Sequence, residues 1–166
     1  MTTAEGHPLL RVPNPSDIEQ IARVHIQGWR EAYGSLLPPQ FYDGDALRRR
    51  IAMWTRILAE IEHHPRLRVS EVTGEIVGFA LAGPPNGDDP ARDLELSMIY
   101  ISAEHYGTGI GQALLDAVLD HSPAQLWVAA ENPRAQAFYH RNGFRLDGRS
   151  HILDEIAGMS EVRMVR

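Results

Sequence analysis

Tyr106-Gly107-Thr108-Gly109-Ile110-Gly111-Gln112 joins a β-rich run, Leu94 to Ile101, to an amphipathic stretch, Gly109 to His121. Three alternating glycines at a strand-to-helix junction permit positive φ and close backbone approach. The unpaired amides of the first helical turn then converge, and the helix dipole favours an anion in front of them. A phosphate or diphosphate is the natural guest. A P-loop would need Gly-Lys-Ser/Thr where Gln112 stands, and no lysine follows. The dinucleotide fingerprint would need glycine at 112 and would begin at the strand end, whereas Ser102 to Tyr106 intervene. Glu131, roughly 20 residues on and after a strand, is the feature in its favour. A glycine-rich turn without a ligand is the competing structural role.

Working outward, Leu9 to Val12 reads as a short strand. Ser16-Asp17-Ile18-Glu19 reads as a capping box, and Ile18, Ile21, Ala22, His25 and Trp29 continue at helical spacing to about residue 32. Leu47, Ile51, Trp54 and Leu58 form a second helical stripe. Arg68 to Val72 and Glu75 to Ala82 flank Thr73-Gly74, a hairpin signal. Beyond the glycine loop come a strand at Leu126 to Ala130 and a helix at Ala135 to Asn142. Asn132 suits the cap of that helix, Pro133 its first turn and Gly143 its C′ position. Phe144 to Gly148 and Glu161 to Val165 are the last strands. The order is βααβββαβαββ: a single α/β (α+β) domain over 9–166 with a mixed sheet, behind a flexible tail at 1–8.

The composition agrees. The chain has 166 residues, 43% hydrophobic and 23% charged, so a folded core is expected. Sixteen Lys+Arg against 22 Asp+Glu give a net charge of −6, a poor match for nucleic acid. With no cysteine, disulfides, thiolate metal sites and cysteine nucleophiles are excluded, and a reducing cytoplasm is the expected location. No apolar run is long enough to span a membrane. Metal-ligand patterns and the Gly-x-Ser-x-Gly elbow are lacking, so no metal is expected. Arg48-Arg49-Arg50 reads as a solvated helix face.

The glycine loop, followed by Ala113-Leu114-Leu115 and preceded by Glu95 to Ile101, resembles the coenzyme A loop of the GCN5-related N-acetyltransferases. Asn132-Pro133-Arg134-Ala135-Gln136-Ala137-Phe138-Tyr139-His140-Arg141-Asn142-Gly143-Phe144 is similar to that family's Asn-x-x-Ala-x-x-Phe-Tyr-x-x-x-Gly-Phe segment. The likeness is strong over 94–144 and weaker before 90. It implies a mostly antiparallel sheet flanked by helices and transfer of an acetyl group from acetyl-CoA to a primary amine. The acceptor would be a small molecule or a peptide. One departure stands out: Tyr106 occupies a position usually held by Gln or Arg, so weaker or re-aimed cofactor binding is expected.

The resemblance also assigns roles. Tyr106, Gly107, Thr108, Gly109, Ile110, Gly111 and Gln112 would hold the diphosphate. Met98, Ile99, Tyr100 and Ile101 would run beside the pantetheine, with the Ile99 amide polarising the thioester. Asn132, Ala135, Phe138 and Tyr139 would complete the cofactor site, and Arg141 would meet a phosphate at its exit. Helical periodicity alone favours Tyr139 as a core-facing aromatic; the resemblance reverses that and makes it the expected general acid. Glu95, on the face of Ser97, Ile99 and Ile101 by strict alternation, is the expected base and acceptor contact, with His151 and His25 as rivals. Trp29 and Tyr33 are the expected acceptor-side aromatics; Trp54 is expected in the core. Without cysteine, transfer would be direct. Acidic residues near the mouth (Asp88, Asp89, Asp93, Glu95, Asp154, Glu155) favour a cationic acceptor. A dimer is the default oligomer. A non-catalytic coenzyme A sensor with this fold is the alternative.

Overall fold

The computed structural model describes residues 7–154, 156 and 158–166. Residues 1–6 of the expected tail, and Glu155, lie outside the described residues. The order is β1 (Leu9–Arg11), α1 (Ile18–Tyr33), α2 (Gly44–Ala59), β2 (Leu67–Val72), β3 (Glu75–Gly83), β4 (Glu95–Ile101), α3 (Ile110–Leu119), β5 (Gln125–Ala129), α4 (Pro133–Arg141), β6 (Arg145–Leu153) and β7 (Met159–Val165), joined in places by short 3-10 turns. This is the βααβββαβαββ order expected from the sequence.

The seven strands form one sheet in the order β1-β2-β3-β4-β5-β7-β6. Every neighbouring pair is antiparallel except β4 and β5, which are parallel and linked through α3. One face packs Ile21, Trp54, Val69 and Phe79 beneath α1 and α2. The other packs Ala80, Leu114, Leu115, Val118, Leu126 and Phe144 beneath α3 and α4. Phe79 and Ala80 are consecutive, so period-2 alternation sends them to opposite cores. Thr73 and Gly74 take positive φ (51° and 87°), making the tight β2–β3 hairpin that their sequence signals.

Two local readings need correction. The N-terminal capping box lies upstream of Ser16: Asn14 Oδ1 accepts from the Ser16 amide at 2.9 Å, and Asp17 Oδ2 accepts from the Asn14 amide at 2.8 Å. Asp17 is held in place by the Arg11 guanidinium at 2.7 and 2.9 Å, a tertiary contact that local spacing does not contain. Strand β6 also runs past Gly148 to Leu153. Gly148 takes φ +88° within an irregular stretch, after which pairing with β7 resumes at Ser150.

The bend that shapes the molecule is in β4. Leu81 of β3 pairs with Met98 and Ala82 with Leu96, so Ser97 is an extra residue, a β-bulge. Alternation therefore breaks there. Leu96 and Ile99 both face the α3–α4 core, while Met98 and Tyr100 pack toward α1 and α2. Glu95 does not share a face with Ile99 and Ile101, as strict alternation would require. Gly28 of α1 completes the arrangement, because a Cβ there would sit 2.5 Å from the Tyr100 ring.

His25 is a core residue. It is buried, its Nδ1 accepts from Trp54 Nε1 at 3.2 Å, and Phe79 and Tyr100 pack against its ring. Burial, helped by the Arg50 charge, pushes its pKa down to about 3. The unfolded chain therefore binds a proton that the folded state refuses between about pH 6.5 and 3, and stability falls as pH drops through that window. We expect a slope of up to about 1.4 kcal/mol per pH unit from this residue. Urea unfolding of wild type and His25→Phe between pH 7.5 and 4.5 should show the difference between the two curves narrowing on the acid side.

Candidate active site

Beyond the bulge, β4 and β5 part. They pair only at Glu95–Gln125 and Leu96–Leu126. The open wedge is a cleft of about 610 Å³. Met98 to Ile101 form one wall and Trp127 to Ala129 the other. The glycine loop closes one end, α4 contributes Asn132, Arg134, Ala135, Phe138, Tyr139 and Arg141, and α1 contributes Gly28, Glu31, Ala32 and Tyr33.

The glycine loop has the geometry of an anion site. Gly107 and Gly109 take φ +76° and +89°. A Cβ at either would meet nothing within 4 Å, so the space before the loop is open. The first helical bond runs from the Ala113 amide to the Gly109 carbonyl at 3.0 Å, and the Thr108 amide reaches the His105 carbonyl at 3.4 Å. Among the described residues, the amides of Gly107, Gly109, Ile110, Gly111 and Gln112 have no acceptor. The Ile110 side chain is core, and Gln112 turns its amide to Asn142 Oδ1 (2.7 Å) and Asp116 Oδ1 (2.9 Å), tying α3 to α4. Gly111 lets the helix approach β4: a Cβ there would lie 3.4 Å from Ile101.

Tyr106 is not idle. Its hydroxyl donates to Glu31 Oε2 at 2.9 Å, and the Arg134 guanidinium lies 3.3 Å from its ring centre. A cation thus reaches the loop from α4, at the place where the side chain at 106 has none. Local sequence does not reveal this contact, because it joins elements far apart in the chain.

Tyr139 is 9% exposed and lines the cleft. Burial, then the nearby Tyr33 phenol, raise its pKa. Tyr33 is raised to about 12 by burial and by Glu161. Tyr100 is raised too, chiefly by burial and then by Tyr33 and Tyr139. Three phenols, from α1, β4 and α4, therefore line the cleft in the protonated form. Asn132 caps α4, its Oδ1 accepting from the Ala135 amide at 3.1 Å, and also lines the cleft.

Other expected residues fall elsewhere. Glu95 is 5% exposed at the closed end of the wedge, and its Oε2 accepts from Gln125 Nε2 at 2.7 Å. It is not among the residues lining the cleft. Trp29 packs behind Tyr33, with ring centroids 5.2 Å apart. His151 stacks on Trp127 at 4.0 Å and pairs through Nε2 with Glu161 at 2.8 Å. Glu31, Trp127 and Arg134 are among the cleft residues that the sequence does not flag; for Trp127 the signal was alternation against Leu126 and Val128, whose side chains enter the α3–α4 core.

The family model for the Acetyltransferase (GNAT) family matches residues 26–144. The chain belongs to the GNAT acetyltransferases. A probable N-acetyltransferase of Mycobacterium tuberculosis is 25% identical over 91% of this chain and 87% of its own length. An uncharacterized N-acetyltransferase of Bacillus subtilis is 30% identical over 70% of this chain and 69% of its own. The GNAT fold is also seen in the PaiA N-acetyltransferase of Thermoplasma acidophilum, solved with coenzyme A. That protein has a TM-score of 0.70 and 17% identity, over 95% of this chain and 98% of its own. The GNAT assignment makes this chain an acetyltransferase, and its sheet is the mixed, mostly antiparallel one that the family resemblance implied. No helix among the described residues is long and apolar enough to cross a membrane.

The Asn132 cap gives a direct test. Asn132→Ala should lower folding stability by about 1 kcal/mol, and Asn132→Asp should keep most of it, measured by chemical denaturation.

Proposed function

We propose that this GNAT chain transfers an acetyl group from acetyl-CoA directly to a primary amine, within one complex of both substrates. The observation that carries the reading is the set of acceptor-free amides at the start of α3, facing open space beside a parted sheet. A diphosphate fits that loop by charge and by hydrogen-bond count. Arg134 adds a cation, offsetting the loss at Tyr106. The exposed edge of β4 from Met98 to Ile101 suits an extended pantetheine arm, as a sheet edge suits an added strand. Within that edge we assign the Ile99 amide to the thioester oxygen. Arg141, also at the cleft, is assigned to an outer phosphate.

Acetyl-CoA supplies an activated carbonyl and a thiolate leaving group. In the transfer the amine nitrogen bonds to the carbonyl carbon, the carbon–sulfur bond breaks, and the amine gives up one proton. Tyr139 is assigned to the sulfur. Its raised pKa keeps it protonated, and a thiol is the stronger acid, so the phenol stabilises the leaving sulfur by donating a hydrogen bond rather than by losing its proton. We assign the amine proton to His151, which Glu161 orients and Trp127 supports beside the cleft. Glu95 is then a positioning residue: it holds Gln125, whose Oε1 accepts from the Ala91 and Arg92 amides at 2.7 and 3.1 Å.

Two substitutions test this. Tyr139→Phe should lower kcat by roughly 100-fold with little change in coenzyme A affinity, because the hydrogen bond is needed only as charge develops on sulfur. An unchanged turnover would remove Tyr139 from the chemistry. Gly109→Asp should reduce coenzyme A affinity by about 100-fold or more in calorimetry, by setting a carboxylate against the diphosphate. Undiminished binding, in a protein with wild-type circular dichroism, would overturn the loop assignment.

A further inference from the structure

The arginine run on α2 is not uniform. Arg48 is exposed and pairs with Asp45, and Arg49 is exposed and donates to the Gln40 carbonyl at 3.2 Å. Arg50 turns inward. Its guanidinium lies 4.8 Å from the Trp29 ring centre, and it is half-buried. The expectation of a solvated basic face holds for its two neighbours and fails for Arg50, because the aromatic cluster of α1 covers it.

Among the described residues no carboxylate lies within ion-pair distance of Arg50. Three buried side-chain polar atoms in that set lack a partner, and two of them are Arg50 Nε and Trp29 Nε1. They adjoin. Trp29 acts on the Tyr100 phenol, lowering its pKa against the larger effect of burial, but its indole N–H makes no hydrogen bond of normal geometry. Leaving such donors unsatisfied is costly, more so for a charged group. Stacking on Trp29 offsets part of that cost, but it uses the face of the guanidinium and leaves its in-plane N–H groups unfilled. Burial also lowers the Arg50 pKa.

The location narrows the guest. Neither Arg50 nor Trp29 lines the cleft itself; Trp29 packs against Tyr33, and Tyr33 and Tyr100 both line it. Helix α2 covers the sheet face opposite to α3, so the diphosphate loop belongs to the other side. We propose that Arg50 and Trp29 form an anion subsite adjoining the cleft, in contact with its Tyr33 and Tyr100 wall, so that the amine acceptor carries a carboxylate or phosphate oxyanion. A planar guanidinium fork matches such oxygens in two hydrogen bonds. Of the acids expected near the mouth, Asp89 is paired with Arg149 and Glu95 is bound by Gln125, and neither lines the cleft. This inference rests on the acetyl transfer proposed above, and names the acceptor class for it.

The test uses matched acceptors with the intact protein and acetyl-CoA: amino acids against their amides, and phosphoethanolamine against ethanolamine. The wild type should prefer the anionic member of at least one pair by roughly tenfold or more in kcat/KM. Arg50→Met should collapse that ratio toward one, Arg50→Lys should keep part of it, and Trp29→Phe, which keeps the ring and removes the N–H, should lower it. The pair that shows the preference identifies carboxylate or phosphate as the anion. Equal use of both members of each pair, or a preference that survives Arg50→Met, overturns the subsite. A binding arm separates this idea from the transfer itself. Calorimetry with N-acetyl amino acids and their amides, and with N-acetylphosphoethanolamine and N-acetylethanolamine, should show the same Arg50-dependent preference. If that preference is present while no acceptor is acetylated, the transfer reading falls and the subsite stands. If no anionic member binds better than its neutral match, the subsite falls.

Discussion

The extra residue at Ser97 governs the working half of this molecule. Without it β4 and β5 would stay paired along their length, and the backbone groups of Met98 to Ile101 would be consumed by the sheet. With it, two residues of each strand pair and the rest diverge. An unpaired parallel edge is normally costly, since its N–H and C=O groups need partners. Here that cost is placed in the core of a domain, between two helical layers, where a ligand rather than another strand can offset it.

The same wedge explains why the site draws on both faces of the sheet. Tyr139 belongs to the α3–α4 layer, while Tyr33 and Tyr100 belong to the α1–α2 side. A closed sheet would keep them apart. In the gap they influence one another, and burial keeps all three protonated. Gly28 is needed for this, since any larger residue would push the Tyr100 ring out of its seat against α1. The glycine loop closes one end of the gap, and Tyr33 lies on its α1 side with Trp29 packed behind it.

Charge is distributed to match. The net charge is −6, yet Arg134 lies over Tyr106 in the cleft wall and Arg50 lies over Trp29 behind Tyr33. Each guanidinium is supported by an aromatic face. That contact costs the cation little of its reach, because the in-plane donors stay available. Some other arginines are committed to acids, as Arg163 is to Asp147 and Arg11 to Asp17 and Glu71.

Element order, the β2–β3 hairpin, the glycine loop and the Asn132 and Gly143 signals of α4 were all legible in the chain, because each follows from φ preference, hydrophobic period or a cap within a few residues. Membership of the GNAT family was legible for the same reason: its two motifs are local. Tertiary structure alone decided the rest. The bulge at Ser97 has no local marker, so alternation misplaced Glu95 relative to Ile99. Tyr106 found Glu31 and Arg134, and Arg50 found Trp29, through contacts between segments far apart in sequence. Such contacts depend on how layers pack, and period and propensity hold no information about that.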